Sequence, residues 1–100
     1  MWFSAFRRGQ AACDAAGMFF LAEFYLPACA VLASVGRRAR AGAAAASAAG
    51  VPVHFVQAVF VPAEETCFAL FEASAPTAVT AAGAAAGLEF DRVTPALLIR

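Results

Sequence analysis

The stretch His54–Ala73, HFVQAVFVPAEETCFALFEA, decides the fold. Two runs rich in β-branched and aromatic residues, Val53–Val61 and Thr66–Ala73, flank the short polar segment PAEE. Such runs form strands, and strands joined this closely must be antiparallel neighbours. The stretch also carries the single histidine, His54, and a cysteine, Cys67, both of which ligate transition metals. A hairpin turning at Ala63–Glu64 sets Phe60 opposite Cys67 and His54 opposite Ala73. At about 3.3 Å per residue, His54 and Cys67 are then about 20 Å apart. One chain cannot hold a metal between them, and only a contact between two copies would bring them together. Cys67 accordingly reads as a small packed hydrophobe.

Outward from the hairpin, the other elements follow from period and punctuation. On the N-terminal side, Phe19–Leu26 is aromatic, short and stopped by Pro27, as a strand is. From about Cys29 to Ala49, the residues Val31, Leu32, Val35, Ala39, Ala43 and Ala46 recur at helical spacing, and Gly50 and Pro52 end that helix. Gly36 and Gly42 inside it each cost about 1 kcal/mol relative to alanine, which close packing against a sheet would offset. On the C-terminal side, Ser74 or Thr77 can cap a second helix, with Pro76 near its start and Gly87 past its end. A last strand is expected over Asp91–Ile99. Pro95 cannot donate to a ladder, so this strand belongs at a sheet edge.

The order β-α-β-β-α-β is the split βαβ pattern, an α+β, ferredoxin-like fold with a four-stranded antiparallel sheet and two helices on one face. Its strand order, 4-1-3-2, places the Pro95 strand at an edge. Strict alternation puts Phe55 and Val59 on one face of the second strand and Val56 and Phe60 on the other, so both faces are apolar. The face without helices then calls for a partner, and the simplest is a second copy in a two-fold homodimer.

Composition narrows the function. One hundred residues make one domain, expected here over residues 18–100, with residues 1–17 an extension expected to be poorly ordered. Apolar residues are 63% of the chain and charged residues 14%, with a net charge of zero and no basic stripe, which argues against nucleic acid as a partner. The cysteines Cys13, Cys29 and Cys67 are odd in number and widely spaced, which suits a reducing cytoplasm. Met18–Gly36 is apolar enough to raise a membrane-associated alternative. Glu23 within it and Pro27 near its middle argue against a span, since a carboxylate at mid-membrane costs about 2.5–3.5 kcal/mol.

No Ser-His-Asp or Cys-His set and no phosphate-binding loop is visible, so the residues point away from catalysis. Glu23 is the residue to explain. A carboxylate in the middle of an apolar strand must be paired, hydrogen-bonded or protonated. It is either a ligand-binding acid in a cleft between protomers or half of an ion pair, with Arg92 on the neighbouring last strand as its partner. Glu72, at a strand end, carries the same reasoning more weakly.

Several short motifs stand in an order that resembles a family of small bacterial proteins of unknown function, one of which is a nickel-binding, nickel-responsive protein. They are Glu23 with Leu26-Pro27, then Val53 and Phe55, then Cys67 with Phe71-Glu72-Ala73, and lastly Ala86-Gly87 with Asp91 and Val93. The resemblance spans about residues 18–99. It implies a ferredoxin-like fold, a homodimer of the dimeric α+β barrel type and a divalent transition metal such as nickel. His54 is the one histidine this chain offers as a metal ligand. Where many relatives carry a histidine in the second helix, this chain has Ala82 and Gly83, and where the nickel-binding type carries histidines at the end of the first strand it has Tyr25 and Leu26. The expectation is therefore a small non-catalytic dimer binding a metal or small ligand at its interface, with Glu23 and His54 as site residues. A cofactor-free enzyme of the same fold is the alternative.

Overall fold

The computed structural model describes residues 18–99. The expectation for residues 1–17 falls outside them. The elements run β1 (Met18–Tyr25), α1 (Leu32–Ala48), β2 (Val53–Val61), a single 3-10 turn (Pro62–Glu64), β3 (Thr66–Ala73), α2 (Pro76–Ala86) and β4 (Arg92–Ala96). One antiparallel sheet has the order β2-β3-β1-β4, and this is the ferredoxin-like arrangement. The segment Met18–Gly36, weighed as a membrane span, is a strand, a turn and the start of a helix. No helix among the described residues is long and apolar enough to cross a membrane.

Local chemistry explains the boundaries. The hairpin turn closes with Glu65 in the left-handed region at φ 47°, where its carbonyl accepts from the Leu26 amide at 2.9 Å and its carboxylate from the Ala28 amide at 2.9 Å. These bonds offset the cost of that conformation and tie the end of β1 to the hairpin. The chain after Pro27 is used for this turn, so α1 starts at Leu32, later than Cys29. It stops at Gly50, with φ 94°, while Ser47 Oγ accepts from the Val53 amide at 3.1 Å and donates to the Val53 carbonyl at 2.9 Å. Neither Ser74 nor Thr77 caps α2. Ala75 holds the cap position without a side-chain bond, and Pro76, whose missing N–H would be unpaired there anyway, opens the helix. Gly87, at φ 71°, ends it with the Leu88 amide bonded to the Gly83 carbonyl at 2.9 Å. β4 stops at Ala96, so Leu97–Ile99 leave the sheet with Leu97 and Ile99 exposed.

Strict alternation fails in β2. Phe60 pairs with Cys67 as expected, but a bulge between Phe55 and Gln57 shifts the remaining pairs, so that His54 lies opposite Glu72 and not Ala73. Phe55 consequently shares the helix side with Ala58 and Phe60, while Val59 faces the other way. Unbroken alternation would have turned Gln57 toward the helices in the row of Val53 and Phe55.

The core lies between sheet and helices. Phe20, Ala22 and Phe24 of β1 and Cys67, Ala69, Phe71 and Ala73 of β3 are buried against Val35, Ala39, Ala43 and Ala46 of α1 and Ala78, Val79 and Ala82 of α2. Because the helices contribute mainly methyl groups, the rings supply the apolar area, each fully buried phenylalanine contributing about 1.5–3 kcal/mol. Phe90 packs on Phe24 and Phe71, with centroids at 5.4 and 5.8 Å.

Candidate functional site

Two places in this architecture bring chemistry together. They lie on opposite faces of the sheet.

The first is the open face. Register sets Gln57, Leu70, Leu21 and Thr94 in one row across the four strands, and Val59, Phe68, Glu23 and Arg92 in the next. A further row holds His54, Glu72, Phe19 and Ala96. The centre is apolar, and Phe19, Leu21, Phe68 and Leu70 belong to none of the helix-side core. Glu23 is half-buried and forms an ion pair with Arg92, Nη2 lying 3.0 Å and Nε 3.2 Å from Glu23 Oε2. The Asp91 amide donates to the Glu23 carbonyl at 2.7 Å, which fixes the start of β4 beside this pair. The carboxylate is thus balanced by a guanidinium on the adjacent strand, the ion-pair alternative for Glu23. With Arg92 largely exposed, the pair contributes about 0–1 kcal/mol.

His54 sits exposed on the edge strand, opposite half-buried Glu72. The sheet does not unite the expected site residues. Glu23 is four residues along β1 from the His54 row and two strands away, which standard sheet spacings convert to about 16 Å. Cys67 is buried on the helix side, and burial pushes its thiol pKa up. It and His54 face opposite ways, so pairing open faces would not bring them together either. Among the described residues, no three His, Cys, Asp or Glu side chains gather closely enough to hold a metal.

The second place was not legible in the sequence. Between α1 and edge strand β2 lies a groove of about 300 Å³, bounded by Leu32, Val35, Gly36 and Ala39 on the helix and by Phe55, Ala58 and Phe60 on the strand. Cys67 and Ala69 form its floor. Arg40 stands at its mouth, its guanidinium carbon 5.5 Å from the centre of the Phe55 ring. Gly36 and Arg40, one helical turn apart, were the available signal.

No protein-family profile matches the chain, and no curated protein matches it. Among solved structures, the chain is similar to SCO4226 from Streptomyces coelicolor A3(2), at 23% identity and a TM-score of 0.68. The match covers 82% of this chain and 99% of that one. At this identity the likeness concerns the fold.

Proposed function

We propose that the chain acts as a non-catalytic homodimer whose open sheet faces meet, and that it binds a divalent transition metal such as nickel, or a small ligand, at that interface. One observation carries the reading. Phe19, Leu21, Val59, Phe68 and Leu70 form an apolar field on the face without helices, outside the core they would otherwise join. Apolar fields of this kind mark interaction surfaces, and a two-fold axis lets a surface meet its own copy. The Glu23–Arg92 pair lies beside this field and the His54–Glu72 pair at its margin.

His54 and Glu72 are two donors, short of the three or four that a stable transition-metal site uses. The partner would supply the rest. The resemblance to a family that includes one nickel-responsive member supports metal over other ligands. A cytoplasmic location fits the free thiols of Cys29 and Cys67.

Sedimentation equilibrium tests the dimer, and Phe68→Glu should shift the protein to monomer. Parent protein that is monomeric throughout a micromolar-to-millimolar range sinks the facing-sheet reading. Titration with nickel, zinc and copper then tests the metal, His54→Ala being expected to abolish binding. Equal binding by parent and variant removes His54.

A further inference from the structure

We propose that the groove between α1 and β2 is a binding site for a small amphiphilic monocarboxylate, an aliphatic tail ending in a single carboxylate. It lies across the sheet from the open face and does not depend on what meets that face.

Shape and lining select the tail. A volume of about 300 Å³ is at the small end for ligand sites, and such sites are mostly apolar with a few placed polar groups. The walls here are Leu32, Val35, Phe55 and Phe60. The floor is buried Cys67, whose thiol burial keeps neutral, so the interior carries no charge. Gly36 of α1 lines the space and brings no side chain to it. A methyl group built on Gly36 meets only Arg40 Nη1, at 3.5 Å, an ordinary contact. Ala58, on the helix side of the edge strand, is exposed.

Charge selects the head group. Among the described residues, Arg40 is the one charged side chain in the lining, and no carboxylate lines the groove with it. Among the described residues the ion pairs comprise Glu23 with Arg92 alone, so Arg40 has no acidic partner there. Its guanidinium rests over Phe55 at the mouth, where its donors can take a carboxylate in bidentate fashion while the tail enters the groove. One cation matches one negative charge, which favours a monocarboxylate over a phosphate or a dicarboxylate.

Octanoate is the probe, titrated into the full-chain protein and followed by backbone amide NMR shifts, with octanol and octylamine as comparators. Saturable shifts are expected at Gly36, Arg40 and Phe55–Ala58. Octanol should bind about tenfold more weakly, the worth of a charge-assisted hydrogen-bond pair. Arg40→Gln should lower octanoate to the affinity of octanol. Gly36→Leu should fill the groove and abolish binding, with an unfolding midpoint at or above the parent's showing that it still folds. Equal binding of all three probes overturns the proposal. So do shifts centred on Phe19 and Phe68 of the open face, shifts that follow protein concentration and not octanoate, or undiminished binding by Gly36→Leu. Sedimentation should be the same for parent and Gly36→Leu, so failure here is distinct from failure of the dimer.

Discussion

Helix α1 makes two contacts of opposite quality. Toward α2 it presents Gly42, where an added Cβ would lie 2.3 Å from the Ala82 carbonyl oxygen and 2.7 Å from the Ala86 Cβ. Toward β2 it presents Gly36, where an added Cβ meets nothing closer than 3.5 Å. The same residue type thus serves close packing of two backbones in one place and leaves a gap in the other. Gly42 lets α1 approach α2 closely, while on its other side α1 leaves a groove beside β2. The groove beside Arg40 is the counterpart of the helix–helix contact. Small residues therefore do not loosen this core uniformly; they move its free space to one side.

One substitution made at both glycines breaks or sharpens that contrast. The largest effect is expected from Gly42→Ala, which should destabilise by about 2–3 kcal/mol despite alanine's better helix preference, because a backbone oxygen has nowhere to go. Urea unfolding measures it, and a neutral result would mean that the helices are not held at this distance. Arg38→Ala comes next. Its side chain donates to the carbonyls of Ala86 at 3.1 Å and Gly87 at 2.7 Å, binding α1 to the C-terminal end of α2. Losing these exposed bonds should cost about 1 kcal/mol in the same assay. Gly36→Ala should run the other way, raising stability by up to about 1 kcal/mol through helix propensity alone. Opposite signs for Gly36→Ala and Gly42→Ala are the clearest mark of the asymmetry.

The smallest effect concerns the groove floor. Burial raises the Cys67 pKa above the ordinary thiol range. As the pH rises through that range, the unfolded chain releases this proton while the folded chain keeps it, so stability should fall with pH. Cys67→Ala should remove that part of the slope in unfolding midpoints measured on the alkaline side. A thiol reagent at neutral pH should label exposed Cys29 well before Cys67.

Much of this fold is written in local signals. Pro27, Gly50, Pro76 and Gly87 punctuate the elements, and each acts through its own φ or its missing N–H, which needs no knowledge of the rest of the chain. Pro95 placed β4 at an edge for the same reason. The bulge was less legible. Its trace is Gln57, which strict alternation would have aimed at the helices between Phe55 and Val59. The hairpin register estimate was right at Phe60, near the turn, and wrong at His54, beyond the bulge. Side-chain caps for α2 were anticipated from Ser74 and Thr77, but Pro76 opens the helix from its first position and neither hydroxyl is used. Of the groove the chain carries only a faint trace, Gly36 and Arg40 one helical turn apart. The groove depends on where a helix rests on a sheet, and that follows from contacts between α1 and α2 that are distant in sequence. Glu23 was legible as a paired carboxylate with Arg92, because both readings of it started from one requirement, that the charge be balanced.

The bulge in β2 has a consequence for life at high concentration. β2 is a nine-residue edge strand, apolar at most positions, in a chain with few charges to keep copies apart. Its outer row of amides and carbonyls is the template on which another chain would lengthen the sheet. An extra residue at mid-strand bends that row and spoils its spacing, so an incoming straight strand finds matching partners for only part of its length. At the opposite edge β4 is five residues long and carries Pro95, which offers no N–H. Both borders of the sheet are thus poor seeds for fibrous growth, a safeguard placed in backbone geometry where the side chains offer little repulsion.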